Sequence, residues 1–276
     1  MTGEAGRAPD IALVISDVDG TLVTPDKRLT PATVAAVRRL RAAGIGFSIA
    51  SARPPVGLRD LVATLDLDLP LGAFNGASVV RPDLTAIEAQ VIPAATAREA
   101  MERLAAEGLD VWVFARGAWW LRDPNGAYTD LERRTIGVEP RVTADLADLA
   151  DDAAKIVGVS ADHAHLAACE GTVAEALAGR ATVHRSQAYY LDVTPPNLDK
   201  GRFVTWMSAH LGIPPERIAT FGDAGNDRAM FARSGLSVAM GNAEAAVKAA
   251  ARAVTDGNDA DGFAHGIARF VLPEGA

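Results

Sequence analysis

The stretch Val14-Ile15-Ser16-Asp17-Val18-Asp19-Gly20-Thr21 indicates the architecture of the whole chain. Residues 11–15 are mostly apolar and β-branched, which is typical of a strand buried on both faces of a parallel sheet. The run ends at two carboxylates, one residue apart, followed by a glycine. Open α/β sheets bind their ligands in the crevice beyond the carboxyl ends of the strands. The stretch therefore predicts a functional site at the end of the first strand.

Length and composition describe an ordinary globular protein with an acidic balance. The 276 residues are 49% hydrophobic and 22% charged, enough for one large α/β domain or for two domains. The net charge of -8 argues against binding a nucleic-acid backbone or an anionic membrane through bulk electrostatics. We expect neither partner, and an anionic substrate would need local cations or a metal.

Cysteine usage and the absence of targeting signals predict a cytoplasmic protein. The single cysteine, Cys169, excludes an intramolecular disulfide and a thiolate metal cage. Residues 1–10 are polar and lack the features of a secretory signal, and no segment approaches the roughly twenty apolar residues of a membrane span. The oligomeric state, monomer or dimer, stays open.

Helix and strand patterns alternate at both ends of the chain and change character between them. Strand, helix, strand, helix signals over residues 11–65, with Thr30 as a helix N-cap, indicate a right-handed parallel α/β unit. From about residue 77, several strands separated by turn signals and two helices indicate an α+β insert. The α/β pattern then resumes, with helices predicted over residues 200–211, 243–251 and 263–270.

We therefore predict the α/β fold class, with a Rossmann-like parallel-sheet core domain and an inserted α+β cap domain. The core takes residues 1–77 and 190–276, and the cap takes residues 78–189. Closure of such a cap over the crevice would expel water from the site.

Two acidic loops carry the oxygen ligands that a hard cation needs. Asp17 and Asp19 follow the first strand, while Asp223 and Asp227 follow a strand over residues 218–221. Mg²⁺ is the natural candidate because it takes few carboxylates and accepts substrate phosphate oxygens. One carboxylate can then attack phosphorus while a protonated neighbour gives its proton to the leaving oxygen.

Three further residues suit a phosphate group. Gly20 lets the backbone approach the phosphate closely. The hydroxyl of Ser51 and the ammonium of Lys200 are suitable partners for the remaining oxygens. Phosphoryl transfer mainly needs positioning and charge compensation, which this set supplies.

Four ordered motifs resemble those of the haloacid dehalogenase-like phosphatase superfamily. They are Asp17-Val18-Asp19-Gly20-Thr21, Ser51, Lys200 and Gly222-Asp223-x-x-Asn226-Asp227. Two further stretches are similar to the Cof-type, type IIB subgroup. They are Asn75-Gly76-Ala77 before the insert, and Ala239-Met240-Gly241-Asn242-Ala243 followed by Lys248 and Asp261-Gly262.

The resemblance implies a role for each matching residue. Asp17 would be the nucleophile that forms an aspartyl-phosphate, and Asp19 would be the general acid and base. Mg²⁺ would be held by the side chains of Asp17 and Asp223 and by the backbone carbonyl of Asp19. Asp227 would orient Lys200, itself a catalytic residue, or a water on the metal. The phosphoryl group would be bound by Gly20, Thr21, Ser51, Ala52, Arg53, Lys200 and Asn226.

One position departs from the family pattern. The second motif usually has a glycine between its hydroxyl residue and its arginine, whereas Ala52 stands there in this chain. A methyl group in place of hydrogen is expected to narrow the phosphate loop.

The sequence thus predicts a magnesium-dependent phosphatase of small phosphorylated metabolites, sugar phosphates being the expected class. In this architecture the cap selects the substrate. A sugar phosphomutase, which returns the phosphoryl group to a second hydroxyl, is an alternative that uses the same two aspartates. An alternative of another class is a non-catalytic metabolite-sensing or protein-binding module. A non-catalytic module is expected to lack some of the catalytic residues, whereas Asp17, Asp19, Lys200 and Asp223 are all present.

Overall fold

A computed structural model describes residues 10–272. Residues 1–9 and 273–276 lie outside the described residues, and with residues 1–9 lies most of the stretch that was predicted to lack a secretory signal. The helices are α1 (Pro31–Ala42), α2 (Arg59–Leu65), α3 (Ala94–Ala106), α4 (Thr129–Ile136), α5 (His163–Ala176), α6 (Lys200–Leu211), α7 (Arg228–Phe231), α8 (Ala245–Lys248) and α9 (Gly262–Gly266). None of these helices, over residues 10–272, combines the length and apolar character that crossing a membrane requires.

The strands form three sheets. They are β1 (Leu13–Ser16), β2 (Gly46–Ile49), β3 (Leu71–Ala73), β4 (Ser78–Val80), β5 (Ala86–Ala89), β6 (Asp110–Ala115), β7 (Ala118–Leu121), β8 (Arg141–Val142), β9 (Ala153–Val159), β10 (Thr182–Gln187), β11 (Tyr190–Thr194), β12 (Ile218–Gly222), β13 (Leu236–Ala239) and β14 (Ala253–Val254).

The chain divides into two units. The parallel-sheet unit takes Met1–Ala50, Ala63–Pro70 and Gly201–Ala276, and the insert unit takes Ser51–Val62 and Leu71–Lys200. An insert within an α/β unit is what the sequence patterns predict. The finer domain boundaries, at residues 77/78 and 189/190, stay a prediction.

The parallel-sheet unit is built on β1. Its sheet has the strand order β14-β13-β12-β1-β2, and every neighbouring pair runs parallel. All four residues of β1 are buried, as expected of an apolar strand with neighbours on both edges. Because Ser16 pairs in register with Phe221, the loops after β1 and β12 leave the sheet side by side.

Helix α1 begins at the N-cap that the sequence predicts. The backbone N–H of Thr33 donates to the Thr30 hydroxyl at 3.1 Å, and Pro31 fills the first turn. Gly44, at φ +73°, provides the left-handed residue that follows the helix. Val37 and Leu40 form its buried stripe.

The insert unit contains two sheets with antiparallel pairing throughout except between β7 and β8. The larger has the order β10-β11-β9-β6-β7-β8, and the smaller the order β3-β4-β5. One apolar cluster joins α3 and α5 to the larger sheet, with Leu104, Ile156 and Leu166 fully buried in it. A second cluster is aromatic: the ring of Trp112 lies 5.0 Å from that of Trp119 and 5.3 Å from that of Tyr190.

The turn between β3 and β4 has an unusual backbone. Phe74, Asn75 and Gly76 follow one another with positive φ angles of 49°, 56° and 86°. Glycine and asparagine tolerate this region, whereas a phenylalanine there carries strain. The tight reversal lets β4 pair directly with β3, from Ala73 opposite Ser78.

Two helix predictions need correction. The helix predicted over residues 243–251 is wrong in extent, because α8 ends at Lys248 and the chain turns so that β14 pairs with β13. The helix predicted over residues 263–270 ends as a π-helical turn, Ile267–Val271. In addition, α4 was not predicted, since its eight residues carry only two large apolar side chains, Leu131 and Ile136.

Replacing Thr30 by alanine is expected to lower the free energy of unfolding by about 1 kcal/mol, because the first turn of α1 loses its side-chain acceptor. The hydroxyl of Thr30 also donates to Asp261 at 2.6 Å. Urea unfolding followed by far-UV circular dichroism measures the change. Thr205→Ala, at an exposed position in the middle of α6, is the control and should not lower the free energy of unfolding. Equal losses in both variants would contradict the capping role.

Candidate active site

The carboxyl ends of β1 and β12 bring acidic side chains together in the parallel-sheet unit. The backbone N–H of Asp17 donates to the carbonyl of Phe221 at 2.9 Å, which continues the strand pairing to the start of the loop. Carboxylate oxygens of Asp17, Asp223 and Asp227 all lie within 4.8 Å of one another. We call these three residues the carboxylate cluster. Asp17 and Asp227 are buried, so this cluster concentrates negative charge where water cannot fully screen it.

Hydrogen bonds fix two of these carboxylates. The side chain of Asp227 accepts from the backbone N–H groups of Asp223 and Ala224, both at 2.9 Å. The side chain of Asp223 accepts from the hydroxyl of Thr21 at 3.1 Å and from the amide of Asn242 at 3.3 Å. Thr21, predicted to bind the phosphoryl group, thus contacts Asp223, a predicted metal ligand. Asp227 braces the loop that carries the same residue, Asp223.

Gly20 is required for a reason that the sequence did not show. Its φ is +88°, and a Cβ atom at this position would stand 2.2 Å from a carboxylate oxygen of Asp223. The Gly20 carbonyl also accepts from the Asn242 amide at 2.9 Å. The glycine therefore leaves room for Asp223, in addition to any approach of the backbone to phosphate.

Asp19 lies in the same loop but outside the carboxylate cluster. Its carboxylate forms an ion pair with Lys27 at 2.8 Å, and both side chains are largely buried. The pair places Asp19 by a contact within the loop that follows β1. Asn226, predicted to bind the phosphoryl group, sits half-buried in the short turn Gly225–Asp227.

Ser51, Ala52 and Arg53, which we call the serine loop, belong to the insert unit. Ser51 is buried, and its hydroxyl accepts from the backbone N–H of Arg53 at 3.1 Å. The guanidinium of Arg53 donates to the carbonyls of Gly57 and Thr135. Within residues 10–272, Ala52 is not one of the residues with positive φ, so this position does not need glycine for its backbone conformation.

Lys200 also falls in the insert unit, as its last residue and the first of α6. Its side chain is buried. The predicted site residues thus fall into two sets. The parallel-sheet unit holds Asp17, Asp19, Gly20, Thr21, Asp223, Asn226 and Asp227, and the insert unit holds Ser51, Ala52, Arg53 and Lys200.

The insert unit also contains a polar group that the sequence did not indicate. The side-chain amide of Asn75 lies 2.9 Å from the Nε2 atom of His184. Burial lowers the pKa of His184 below its ordinary 6.5, and the ammonium of Lys155 lowers it too, against the opposing effect of Asp192. A neutral imidazole can accept the Asn75 hydrogen bond, which agrees with the direction of the shift.

Two residues of the parallel-sheet unit were missed as contributors to the site. Asn242 lies in a stretch that resembles the type IIB subgroup, but no role in the site was predicted for it. It follows β13, the neighbour of β12, and ligands gather at the ends of strands, so its position was a usable signal. Lys27 gave no signal, because a lysine in a polar loop is ordinary and only the fold of that loop brings it to Asp19.

Residues 14–267 match the family model described as haloacid dehalogenase-like hydrolase. The chain belongs to this family. Pyridoxal phosphate phosphatase YbhA of Escherichia coli is 31% identical over 270 residues, which is 92% of this chain and 97% of that protein. HMP-PP phosphatase of Cronobacter sakazakii is 30% identical over 228 residues, 82% of this chain and 83% of that protein.

The solved structures include the same fold. The HAD subclass IIB sugar phosphatase BT4131 superposes with a TM-score of 0.83 at 24% sequence identity, covering 94% of this chain and 99% of that one. The resemblance to the haloacid dehalogenase-like, Cof-type phosphatases that the sequence motifs indicated is confirmed. The fold class is confirmed as well. The chain is therefore a hydrolase by family, and the relatives from Escherichia coli and Cronobacter sakazakii are named phosphatases.

Gly20→Ala is expected to lower kcat/KM by about 100-fold, since its methyl group must displace Asp223 and small displacements in a site are costly. Phosphate release measures the loss. Gly44→Ala is the matched control: it carries the same positive-φ strain, at +73°, but its Cβ meets nothing within 4 Å. Similar losses of activity in both variants would mean that backbone strain causes the effect. They would contradict the proposed clash between a Cβ atom at position 20 and Asp223.

His184 should make the protein less stable in acid. Its pKa is lower in the folded than in the unfolded chain, so below about pH 6.5 the unfolded chain binds a proton that the fold excludes. The free energy of unfolding therefore decreases as the pH is lowered, and this group contributes at most about 1.4 kcal/mol per pH unit. Urea unfolding between pH 7.5 and pH 5 should show a smaller loss for His184→Gln than for wild type. The variant His210→Gln, at an exposed position, should lose as much stability as wild type. The same dependence of stability on pH in wild type and both variants would contradict the role given to His184.

Proposed function

We propose that this enzyme hydrolyses phosphate monoesters of small metabolites through an aspartyl-phosphate on Asp17, with Mg²⁺ as cofactor. The observation that carries the proposal is the placement of Asp17 at the buried end of β1, within 4.8 Å of two further carboxylates. A nucleophile needs this fixed geometry, and clustered carboxylate oxygens are suited to holding a cation.

The donor set fits Mg²⁺. All three groups in the carboxylate cluster offer oxygen atoms, the ligand type that this hard cation prefers. Asp17 and Asp223 would hold the ion with the backbone carbonyl of Asp19, while Asp227 keeps its bonds to the loop backbone. When bound, Mg²⁺ would compensate the charge of the carboxylates and of the substrate phosphate.

The reaction would take two steps. In the first, a carboxylate oxygen of Asp17 attacks phosphorus, the bond from phosphorus to the ester oxygen breaks, and that oxygen takes a proton from Asp19. In the second, Asp19 accepts a proton from a water that attacks the phosphorus of the aspartyl-phosphate, so that phosphate leaves and Asp17 is restored. The ammonium of Lys27 keeps the carboxyl group of Asp19 in a defined place within its loop and stabilises the carboxylate that remains once Asp19 has given its proton.

The remaining predicted residues would bind the transferring group. Ser51 and Lys200 would supply a hydroxyl and an ammonium to the phosphoryl oxygens, and Asn226 an amide. Gly20, Thr21, Ala52 and Arg53 would shape the loops around them. We further propose that the cap, residues 78–189, selects the substrate.

Relatives suggest which substrates to test. Their names give HMP-PP and pyridoxal phosphate as substrates of those proteins. Sugar phosphates remain the class that we propose for this chain. Location in the cytoplasm also stays a prediction.

Asp17→Asn should lower kcat by about three orders of magnitude or more, because the amide keeps the size of the side chain but cannot attack phosphorus. Release of inorganic phosphate from a panel of sugar phosphates, pyridoxal phosphate and HMP-PP, with added Mg²⁺ and after treatment with EDTA, measures the effect. Asp68→Asn, an exposed position of the same unit, should leave kcat unchanged.

Each other outcome has a distinct meaning. Full activity of Asp17→Asn would refute the covalent mechanism, and full activity after removal of divalent ions would refute the Mg²⁺ site. An isomeric phosphate ester formed without release of phosphate would favour the phosphomutase. Binding of esters without turnover would favour a metabolite-sensing module.

A further inference from the structure

The serine loop has all three of its backbone carbonyls engaged in hydrogen bonds. The Ser51 carbonyl accepts from the backbone N–H of Asn75 at 2.8 Å, and the Arg53 carbonyl accepts from that of Phe74 at 3.0 Å. The carbonyl between them, on Ala52, accepts from the ammonium of Lys155 at 3.1 Å. Two of the three bonds are backbone pairings to the turn after β3, and the third comes from a side chain on β9.

Lys155 is placed for this contact by a buried ion pair. Its ammonium lies 2.7 Å from a carboxylate oxygen of Asp192 on the neighbouring strand β11. The side chain of Asp192 is fully buried and that of Lys155 is 5% exposed. The ring of Phe114 lies 5.9 Å from the ammonium.

The buried ion pair between Lys155 and Asp192 is not expected to add much to the free energy of unfolding. Removing two charges from water carries a desolvation cost that their attraction offsets only in good geometry, and apolar side chains of similar size often serve the fold as well. The contact that an apolar pair would not reproduce is the bond to the Ala52 carbonyl. That bond constrains the peptide joining Ala52 to Arg53, directly beside Ser51.

We propose that Lys155, supported by Asp192, is a positioning residue that holds the serine loop in the conformation that binds the phosphoryl group. Asp192 directs the ammonium of Lys155, and Lys155 acts on the substrate only through Ala52 and Ser51. The proposal rests on the proposed phosphoryl-binding role of Ser51. Because every substrate carries the same phosphoryl group, the effect of Lys155 should not depend on the rest of the substrate.

The double variant Lys155→Met with Asp192→Asn removes the bond without leaving a lone buried charge. The inhibition constant of inorganic phosphate should rise roughly 10- to 100-fold. The KM values of pyridoxal phosphate and of a hydrolysed sugar phosphate should rise by the same factor. Asp192→Asn alone removes the support of Lys155 but keeps an ammonium that can donate to Ala52, so the inhibition constant of phosphate should rise less in this variant than in the double variant.

A control removes an ion pair that joins the same sheet to α5. Arg185, on β10, pairs with Glu170 at 2.8 Å, and the variant Arg185→Met with Glu170→Gln should leave phosphate inhibition unchanged. Thermal unfolding of all variants separates loss of fold from loss of positioning.

Three results would overturn the proposal. The first is a lower melting temperature of the double variant with unchanged phosphate inhibition, which would make Lys155 purely structural. The second is a KM change for one ester only, which would make Lys155 a contact for the leaving group. The third is an equal rise in the inhibition constant for Asp192→Asn alone and for the double variant. Absence of phosphate release by the wild-type protein would instead refute the proposed function.

Discussion

The mutual repulsion of three carboxylates is the constraint around which the parallel-sheet unit is arranged. Asp17, Asp223 and Asp227 place oxygen atoms within 4.8 Å of one another, a spacing that like charges resist unless donors or a cation compensate them. The fold supplies donors from the loops after three adjacent strands. Asn242 after β13 and Thr21 after β1 both donate to Asp223, which itself follows β12.

Parts of this arrangement were predictable from sequence because they depend on local rules. Apolar β-branched runs identify buried strands, and parallel strands end at one edge of a sheet, so Asp17 and Asp223 were expected to be neighbours. The order of the four motifs then indicated the family. The N-cap at Thr30 needed only a Thr-Pro pair ahead of a helical pattern.

The rest depends on how the chain folds back on itself, which residue types alone do not encode. The bond from Lys155 to the Ala52 carbonyl spans 103 residues, and neither residue is exceptional in its own stretch. Gly20 was correctly singled out but only for an approach to phosphate, because the position of the Asp223 side chain cannot be read from spacing. Short elements such as α4 and β14 were missed because two to eight residues give too weak a periodic signal.

The aromatic cluster of the insert unit has a spectroscopic consequence. Of the four tryptophans, Trp112, Trp119 and Trp120 belong to the insert unit, and Trp206 on α6 belongs to the parallel-sheet unit. Intrinsic fluorescence is therefore weighted towards the insert unit, where Trp112 and Trp119 lie in ring contact. Emission from Trp206, which stacks on Phe203 and His210, reports on the other unit. Replacing Trp206 by phenylalanine would yield a protein whose emission follows the unfolding of the insert unit alone.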